Sequence, residues 1–287
     1  MTARTFSIIV LAAALTACAG QPQKTATKAP PPAVDVTQLV AAGDATREDG
    51  RFSEAMRIYE QALVANPGTV AAQYGMAESL LALQRPRDAK PMFERLTADG
   101  QWHAAALQGA GLAELSLRHT DAAAKELQQA VAADAGLWRA YNGLALLADL
   151  ARRPSEAEAF YAKAMAIKPE SAVLFNNRGF SRLSDGKPRE AAADFRRALQ
   201  IEPGSETVQN NLRLAVAALG DYAEATRNLP RDRAPSVLNN VGYVAMRRGD
   251  LAAAEALLAR AIAENPNYDA VAAGNVDRLN ALKGGAK

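Results

Sequence analysis

Small and large apolar residues alternate with polar ones along this chain in a pattern that repeats every 34 residues. Alanine marks each step, and a large apolar residue follows it four positions later. The pairs are Ala55 and Tyr59, Ala89 and Phe93, Ala123 and Leu127, Ala157 and Tyr161, Ala191 and Phe195, and Ala225 and Leu229. Residues three, four and seven apart lie on one face of a helix, so each pair predicts an apolar stripe on a helix.

A second set of small residues predicts another helix before each of these stripes. Twelve positions before the alanine stand Gly43, Ala77, Gly111, Ala145 and Gly179. Small side chains let two helices approach closely, and the large residue fills the space between them. Gly50, Gly186 and Gly220 lie five positions before the alanine, where the chain turns and glycine tolerates a positive φ. Ser155 and Glu158 predict a capping box at the start of one second helix.

This helix-turn-helix pattern resembles the tetratricopeptide repeat, in which large, apolar and small residues in one helix precede alanine, aromatic, alanine and proline in the next. Pro67, Pro169 and Pro203 fit the terminal proline. The resemblance implies an all-α, right-handed superhelix, an α-solenoid of about seven repeats. We place the repeats at 36–69, 70–103, 104–137, 138–171, 172–205, 206–234 and 235–268.

The sixth repeat and the end of the chain depart from this pattern. Repeat six is about five residues short and carries Arg213 where a small residue is expected, and its second helix is predicted to stop near Leu229–Pro230. Simple degeneration explains this, and a bend or exposed contact surface is the alternative. Residues 269–287 are assigned to a capping helix and tail, with Val271, Val276, Leu279 and Leu282 at helical spacing.

The first 35 residues follow a different pattern. Arg4 precedes an apolar run from Phe6 to Leu15, which is too short to span a bilayer, since that needs about 20 residues. Leu15–Thr16–Ala17–Cys18 resembles the lipobox of a bacterial lipoprotein, which implies a signal peptide over 1–17 and lipidation of Cys18. An ordinary signal peptide is the alternative. Ala19 after the cysteine favours the outer membrane of a Gram-negative bacterium, with the chain facing the periplasm.

Residues 18–35 are rich in proline and alanine and predict a flexible tether between the lipidated cysteine and the repeats. Lysine and arginine number 33 against 31 aspartate and glutamate, and loss of residues 1–17 removes only Arg4. A net charge of about +1 gives no electrostatic footprint for nucleic acid. We therefore expect membrane attachment through lipid and no nucleic-acid partner.

Catalysis is not expected from this composition. The chain has two histidines and one cysteine, with no phosphate-binding glycine loop and no metal-ligand spacing. We therefore predict no enzyme activity, no cofactor, no metal and no small-molecule substrate. An enzyme remains the different-class alternative, and a closed pocket containing a buried polar cluster with shifted pKa values would revive it.

A row of asparagines provides the candidate binding site. The fifth position of repeats four to seven is Asn142, Asn176, Asn210 and Asn239. The tetratricopeptide resemblance implies that this position faces a concave groove, where amide groups can pair with an extended peptide. Phe180, Tyr243 and Met246 would add apolar contacts. The alternative is a solvated lining copied by repeat duplication. Asparagine at the sixth position, as at Asn177, Asn211 and Asn240, usually braces neighbouring helices.

The runs Leu238–Met246 and Ala252–Glu255, with the lipobox, tether and repeats, resemble the TadD family of tetratricopeptide-repeat lipoproteins of tight-adherence (Tad/Flp) pilus assembly. The resemblance implies an outer-membrane lipoprotein that helps to assemble or localise the pilus secretin and its partners. Two alternatives stay open. One is a pilotin-like or general scaffold of another secretion system, and the other is an adaptor that recruits peptidoglycan hydrolases.

Overall fold

The computed structural model describes residues 35–264 and 270–285. Fifteen α-helices and no strands make up the described ranges. The predicted signal peptide, Cys18 and nearly all of the predicted tether lie outside them.

The first fourteen helices form seven consecutive pairs, and α15 follows the last pair. The first helices of the pairs are α1 (Val36–Glu48), α3 (Val70–Ala82), α5 (His103–Ser116), α7 (Trp138–Leu150), α9 (Ala172–Ser184), α11 (Glu206–Ala218) and α13 (Ala234–Arg248). The second helices are α2 (Phe52–Ala65), α4 (Pro86–Leu96), α6 (Thr120–Ala133), α8 (Pro154–Ile167), α10 (Pro188–Ile201), α12 (Tyr222–Ala225) and α14 (Leu251–Ala263). Each helix packs against the next along the chain, and successive first helices also contact each other. This is the packing of an α-solenoid.

The predicted small and large residues meet in the core. Tyr59 is fully buried between the first helix of its own repeat and that of the next. A Cβ atom at Gly43 would lie 2.5 Å from this ring, and one at Gly75 would lie 2.2 Å from it. Leu127 is held in the same way between Gly111 and Gly143. Glycine therefore stands where a ring or branched side chain from the second helix needs the space.

The turn inside each of the first six pairs contains a residue with positive φ. Glycine occupies this position in repeats one, five and six, as the sequence predicts. Three longer residues occupy it in repeats two to four. The residues and their φ values are Gly50 (76°), Gln84 (59°), Arg118 (66°), Arg152 (57°), Gly186 (75°) and Gly220 (93°). All six are 34 residues apart, so one turn geometry is kept although the residue type changes.

Two local predictions about helix ends were wrong. The helix α8 begins at Pro154 after Arg153, which makes no side-chain capping bond, so Ser155 lies inside the helix and no capping box opens it. In repeat six, α12 ends at Ala225 and does not extend to Leu229–Pro230. Arg213 explains the early end, because its guanidinium donates to the carbonyl oxygens of Ala225 and Arg227, both at 2.9 Å.

The predicted capping helix is α15 (Ala270–Gly285), which packs against α14 and α13. Leu279 is buried in the cluster around Met246 and Leu258, with Val276 packed against that cluster. The prediction that Val271 and Leu282 also cover the last repeat was wrong, since they are 60% and 45% exposed. A narrower stripe than the spacing predicted therefore covers the end of the solenoid.

Candidate functional site

The first helices of repeats three to six line an open groove of about 1150 Å³, called here the main groove. Its wall includes Leu146 and Leu150 from α7, Asn176 and Phe180 from α9, and Asn211 from α11. Leu150 and Phe180 are 52% and 54% exposed, so they present apolar surface in the groove. The groove thus combines an apolar floor with amide and hydroxyl groups, a mixture typical of peptide-binding surfaces.

A second groove, of about 510 Å³, adjoins the first and is called here the N-terminal groove. Gln84, Leu115, Ser116 and Leu146 line both, so the two are continuous. Its distinctive feature is the buried carboxylate of Glu78.

Glu78 connects repeat two with repeat four. Arg139 donates to it at 2.5 Å, and the Tyr74 hydroxyl donates to its other oxygen at 3.2 Å. The carboxylate is only 6% exposed, so these bonds offset its loss of hydration. Sequence reasoning missed this pair because the two residues are 61 positions apart.

The structure separates the seven predicted groove residues. Asn176 and Phe180 line the main groove, and Asn142 lines the N-terminal groove. Asn210 is exposed on α11 but lines neither groove. Cys18, the predicted lipidation site, lies outside the described ranges and stays a prediction.

The remaining three predicted residues are covered by the end of the solenoid. Asn239 and Met246 are 7% and 4% exposed, so neither side chain faces an open groove, and this part of the prediction was wrong. The physical reason is α15, from which Asn275 donates to the Asn239 oxygen at 3.0 Å. Tyr243 is half-buried, and the Arg278 guanidinium of α15 lies 5.9 Å from its ring centre.

Two of the fifth-position asparagines, Asn142 and Asn176, accept hydrogen bonds from the following repeat. Asn177 donates to the Asn142 oxygen at 3.0 Å, and Asn211 donates to the Asn176 oxygen at 2.9 Å. The sixth-position bracing role is therefore confirmed for Asn177 and Asn211, whereas Asn240 is exposed. Each amide oxygen has two lone pairs, so the bridging asparagines still have some capacity to bind a ligand. Pairing of the asparagine row with a peptide backbone stays a prediction.

The acidic groups of the main groove already have partners. Asp149 accepts hydrogen bonds from the Tyr161 hydroxyl at 3.0 Å and from the Ser181 hydroxyl at 2.5 Å. Burial, and after it the charge of Asp149, raises the pKa of Tyr161 above its usual range, so the phenol stays a donor. Asp185 forms an ion pair with Lys187 at 2.7 Å.

Two of the three arginines in the same groove have no ion-pair partner among the described residues. Arg153 is paired with Glu156 at 2.8 Å. Arg118 and Arg152 are exposed and have no ion-pair partner within residues 35–264 and 270–285. The partners of Asp149 are neutral hydroxyls, so the groups outside ion pairs are two arginines and one aspartate, and their net charge is positive.

An acid and an imidazole lie together outside both grooves. His119 lies 2.6 Å from Glu114, which Lys90 also contacts at 2.8 Å. Burial opposes ionisation of Glu114, but the hydrogen bonds from Lys90 and His119 hold its pKa below its usual value. An ionised carboxylate fixed by two partners has a structural role, and neither residue lines a groove.

Metal-binding clusters and membrane-spanning helices are both missing from the described part of the chain. No group of three or more histidine, cysteine, aspartate or glutamate side chains in those residues has the arrangement needed to hold a metal ion. No described helix is long and apolar enough to cross a bilayer.

Paired helices stacked around an open groove define a class of helical repeat proteins that act as interaction scaffolds. Family comparison agrees: tetratricopeptide repeat sequence models match residues 47–111, 109–172 and 208–269, together more than half of the chain. The chain therefore belongs to the tetratricopeptide repeat family and is a protein–protein interaction scaffold. No curated protein sequence matches it.

Solved structures support the same fold. A thermophilic tetratricopeptide repeat protein from Thermus thermophilus is 20% identical, with a TM-score of 0.57, covering 63% of this chain and 99% of its own. A repeat protein from Parabacteroides merdae is 12% identical, with a TM-score of 0.51 and coverage of 82% and 95%. The pilF protein of Pseudomonas aeruginosa is 13% identical, with a TM-score of 0.51 and coverage of 81% and 93%. At these identities the likeness shows the fold alone.

Proposed function

We propose that this protein is a lipid-anchored periplasmic scaffold that helps to assemble an envelope machine, with the Tad/Flp pilus and its secretin as the favoured client. The observation that carries the proposal is Cys18, the sole cysteine of the chain, at the end of a lipobox-like segment and directly before a tether and a repeat domain. A lipid on this residue holds the solenoid near a membrane, and the grooves supply surface for a client protein.

Anchoring is tested by changing only the lipidation site. We expect the wild-type chain to sediment with outer membranes and Cys18→Ser to move to the soluble periplasmic fraction, because attachment requires acyl chains on the cysteine. The matched control is Lys24→Ala with Lys28→Ala, which removes positive charge from the predicted tether and keeps Cys18. We expect this variant to fractionate like the wild type, because attachment does not depend on these charges. Undiminished membrane association of Cys18→Ser contradicts the anchor.

The client is tested by affinity purification from solubilised outer membranes with the full chain as bait. The proposal expects recovery of secretin and other pilus components, and loss of pili on deletion of the gene. Recovery of components of another secretion system supports the first alternative. Recovery of peptidoglycan hydrolases without any secretin supports the adaptor role and contradicts the pilus assignment.

A further inference from the structure

The turns inside repeats two to four contain side chains where the other turns contain glycine. Gln84, Arg118 and Arg152 adopt positive φ values, a conformation that costs an L-residue about 1–2 kcal/mol. A Cβ atom placed at Gly50 or Gly186 meets no atom within 4 Å, whereas one at Gly220 would lie 3.1 Å from the Arg248 guanidinium, so space does not explain glycine at two of the three glycine turns. Some other use for these side chains must offset the cost.

The location of these three side chains in the molecule indicates a role in the main groove. Gln84, Arg118 and Arg152 all line the main groove, whereas Gly50, Gly186 and Gly220 do not. Three of the four non-glycine residues with positive φ therefore line the main groove. The fourth, Asn228 (φ 51°), does not, and the turn of Gly186 borders the groove through Ser184 and Asp185. Observed backbone outliers beside a cleft are a sound basis for a functional hypothesis.

Charge then defines the chemistry of the partner. Arg118 and Arg152 have no acidic partner within the described part of the chain, while Asp149 and Asp185 are already engaged. Guanidinium groups bind carboxylates through charge-assisted, often bidentate, hydrogen bonds. Leu150 and Phe180 expose apolar surface in the same groove. The groove is thus complementary to a chain segment with both acidic and apolar side chains.

We propose that the main groove binds an acidic, apolar-containing peptide segment of the client protein, and that Arg118 and Arg152 determine this preference. The inference rests on the proposed scaffold function and adds the chemical class of what is bound. A nucleic acid is disfavoured, because two unpaired arginines are too few to follow a polyphosphate backbone.

The test measures binding of peptide pools to the full chain purified in detergent micelles. Three fluorescent pools contain peptides of about ten residues, a length that extends to about 33 Å. All three pools contain Leu and Phe at every position. The acidic pool adds Asp and Glu, the neutral pool adds Asn and Gln, and the basic pool adds Lys and Arg. The charge-loss variant is Arg118→Gly with Arg152→Gly, which installs the residue found at the other turns and so keeps the fold. The matched control is Arg87→Ala with Arg189→Ala, which removes two exposed arginines from α4 and α10 that line neither groove.

We expect the acidic pool to bind at least about tenfold more tightly than the neutral pool at low ionic strength, and the basic pool to bind most weakly. The Arg118→Gly, Arg152→Gly variant loses most of this preference, keeps its affinity for the neutral pool and unfolds at the same or a higher temperature. The Arg87→Ala, Arg189→Ala variant keeps the preference.

Four outcomes overturn the inference: equal affinity for all pools, no binding of any pool, an unchanged preference in the charge-loss variant, or equally tight binding of a ten-nucleotide single-stranded DNA. None of these bears on anchoring or on the identity of the client, which the fractionation and affinity purification test separately.

Discussion

Glycine has different physical roles where the helices cross and where they turn. At the crossings it is required by packing, because a Cβ atom at Gly75 would lie 2.2 Å from the Tyr59 ring and one at Gly109 would lie 2.4 Å from the Phe93 ring. At the turns of Gly50 and Gly186 the space is empty, and only the positive φ favours glycine. The crossings are therefore fixed by sterics and the turns by a smaller backbone preference.

This difference explains where the repeats vary. A larger residue at Gly75 or Gly109 would push apart two helices. Where the two series of small residues end, Arg213, Asn177 and Asn211 instead make hydrogen bonds to other elements. A larger residue at a turn costs only backbone energy, which binding can offset. Inside the helix pairs the chain departs from glycine at three turns, and all three border the main groove, which the glycine turn of repeat five also reaches through Asp185. Variation at the turns thus gives functional information that the crossings do not.

The largest expected effect comes from a crossing. Gly75→Ala should lower the free energy of unfolding by about 2–3 kcal/mol, because overpacking against Tyr59 outweighs the better helix propensity of alanine. Thermal or urea unfolding followed by circular dichroism measures this. Gly204→Ala is the control, since its Cβ atom meets nothing and its φ is not positive. Equal stability of the two variants contradicts the steric role of glycine.

The asparagine hydrogen bonds join helices of consecutive repeats, as the crossings do, and their loss should have the next largest effect on the free energy of unfolding. Asn211→Ala removes the 2.9 Å hydrogen bond to Asn176 and should cost about 1 kcal/mol. Its neighbour Asn210, whose exposed side chain has no hydrogen-bond partner within the described ranges, is the control for loss of an asparagine on α11. A similar change in urea midpoint for Asn210→Ala would argue against a bracing role.

Substitution of a turn glycine should lower stability less than Gly75→Ala or Asn211→Ala. Gly186→Ala places a side chain at φ 75° in open space, and the positive-φ cost of about 1–2 kcal/mol, partly offset by the lower unfolded-state entropy of alanine, should leave a net loss of about 0.5–1 kcal/mol. The same unfolding measurement applies. A loss as large as that of Gly75→Ala would erase the distinction between crossings and turns.

The smallest effect should have the opposite sign. Arg118→Gly relieves the positive-φ cost at a turn that has no packing duty and should raise stability by about 0.5 kcal/mol, the gain being reduced by the greater unfolded-state entropy of glycine. Ala132→Gly, inside α6, is the control for adding a glycine and should lower stability. Destabilisation by Arg118→Gly would mean that this side chain supports the fold.

Much of the fold was predictable because its determinants are local and periodic. The alanine and aromatic positions 34 residues apart indicate which helices pair and which residues are buried, as Tyr59, Phe93, Tyr161 and Phe195 show. The end of α12 was not predictable, because it depends on Arg213 reaching two carbonyl groups on another element. Exposure of Val271 and Leu282 likewise depends on how α15 is rotated against α14, which spacing alone does not define.

The site was less predictable than the fold. Asn176 and Phe180 were found from their repeat positions, whereas Asn239 is covered by α15 through a partner, Asn275, that lies outside the repeat pattern. Arg118 and Arg152 were missed because their residue type interrupts the glycine series at the turns. A signal was present, since positions 84, 118 and 152 continue the 34-residue series of Gly50, Gly186 and Gly220. Their position beside the groove needed the structure.

Photo-crosslinking in living cells shows whether a client protein docks in the main groove. A photoreactive amino acid at Phe180, in the groove, is compared with one at Arg196, exposed on α10 outside both grooves. We expect a discrete adduct to one envelope protein from position 180, none from position 196, and loss of the adduct when Arg118→Gly and Arg152→Gly are added. The same adduct from position 196, or an undiminished adduct after both arginines are removed, would contradict docking in this groove.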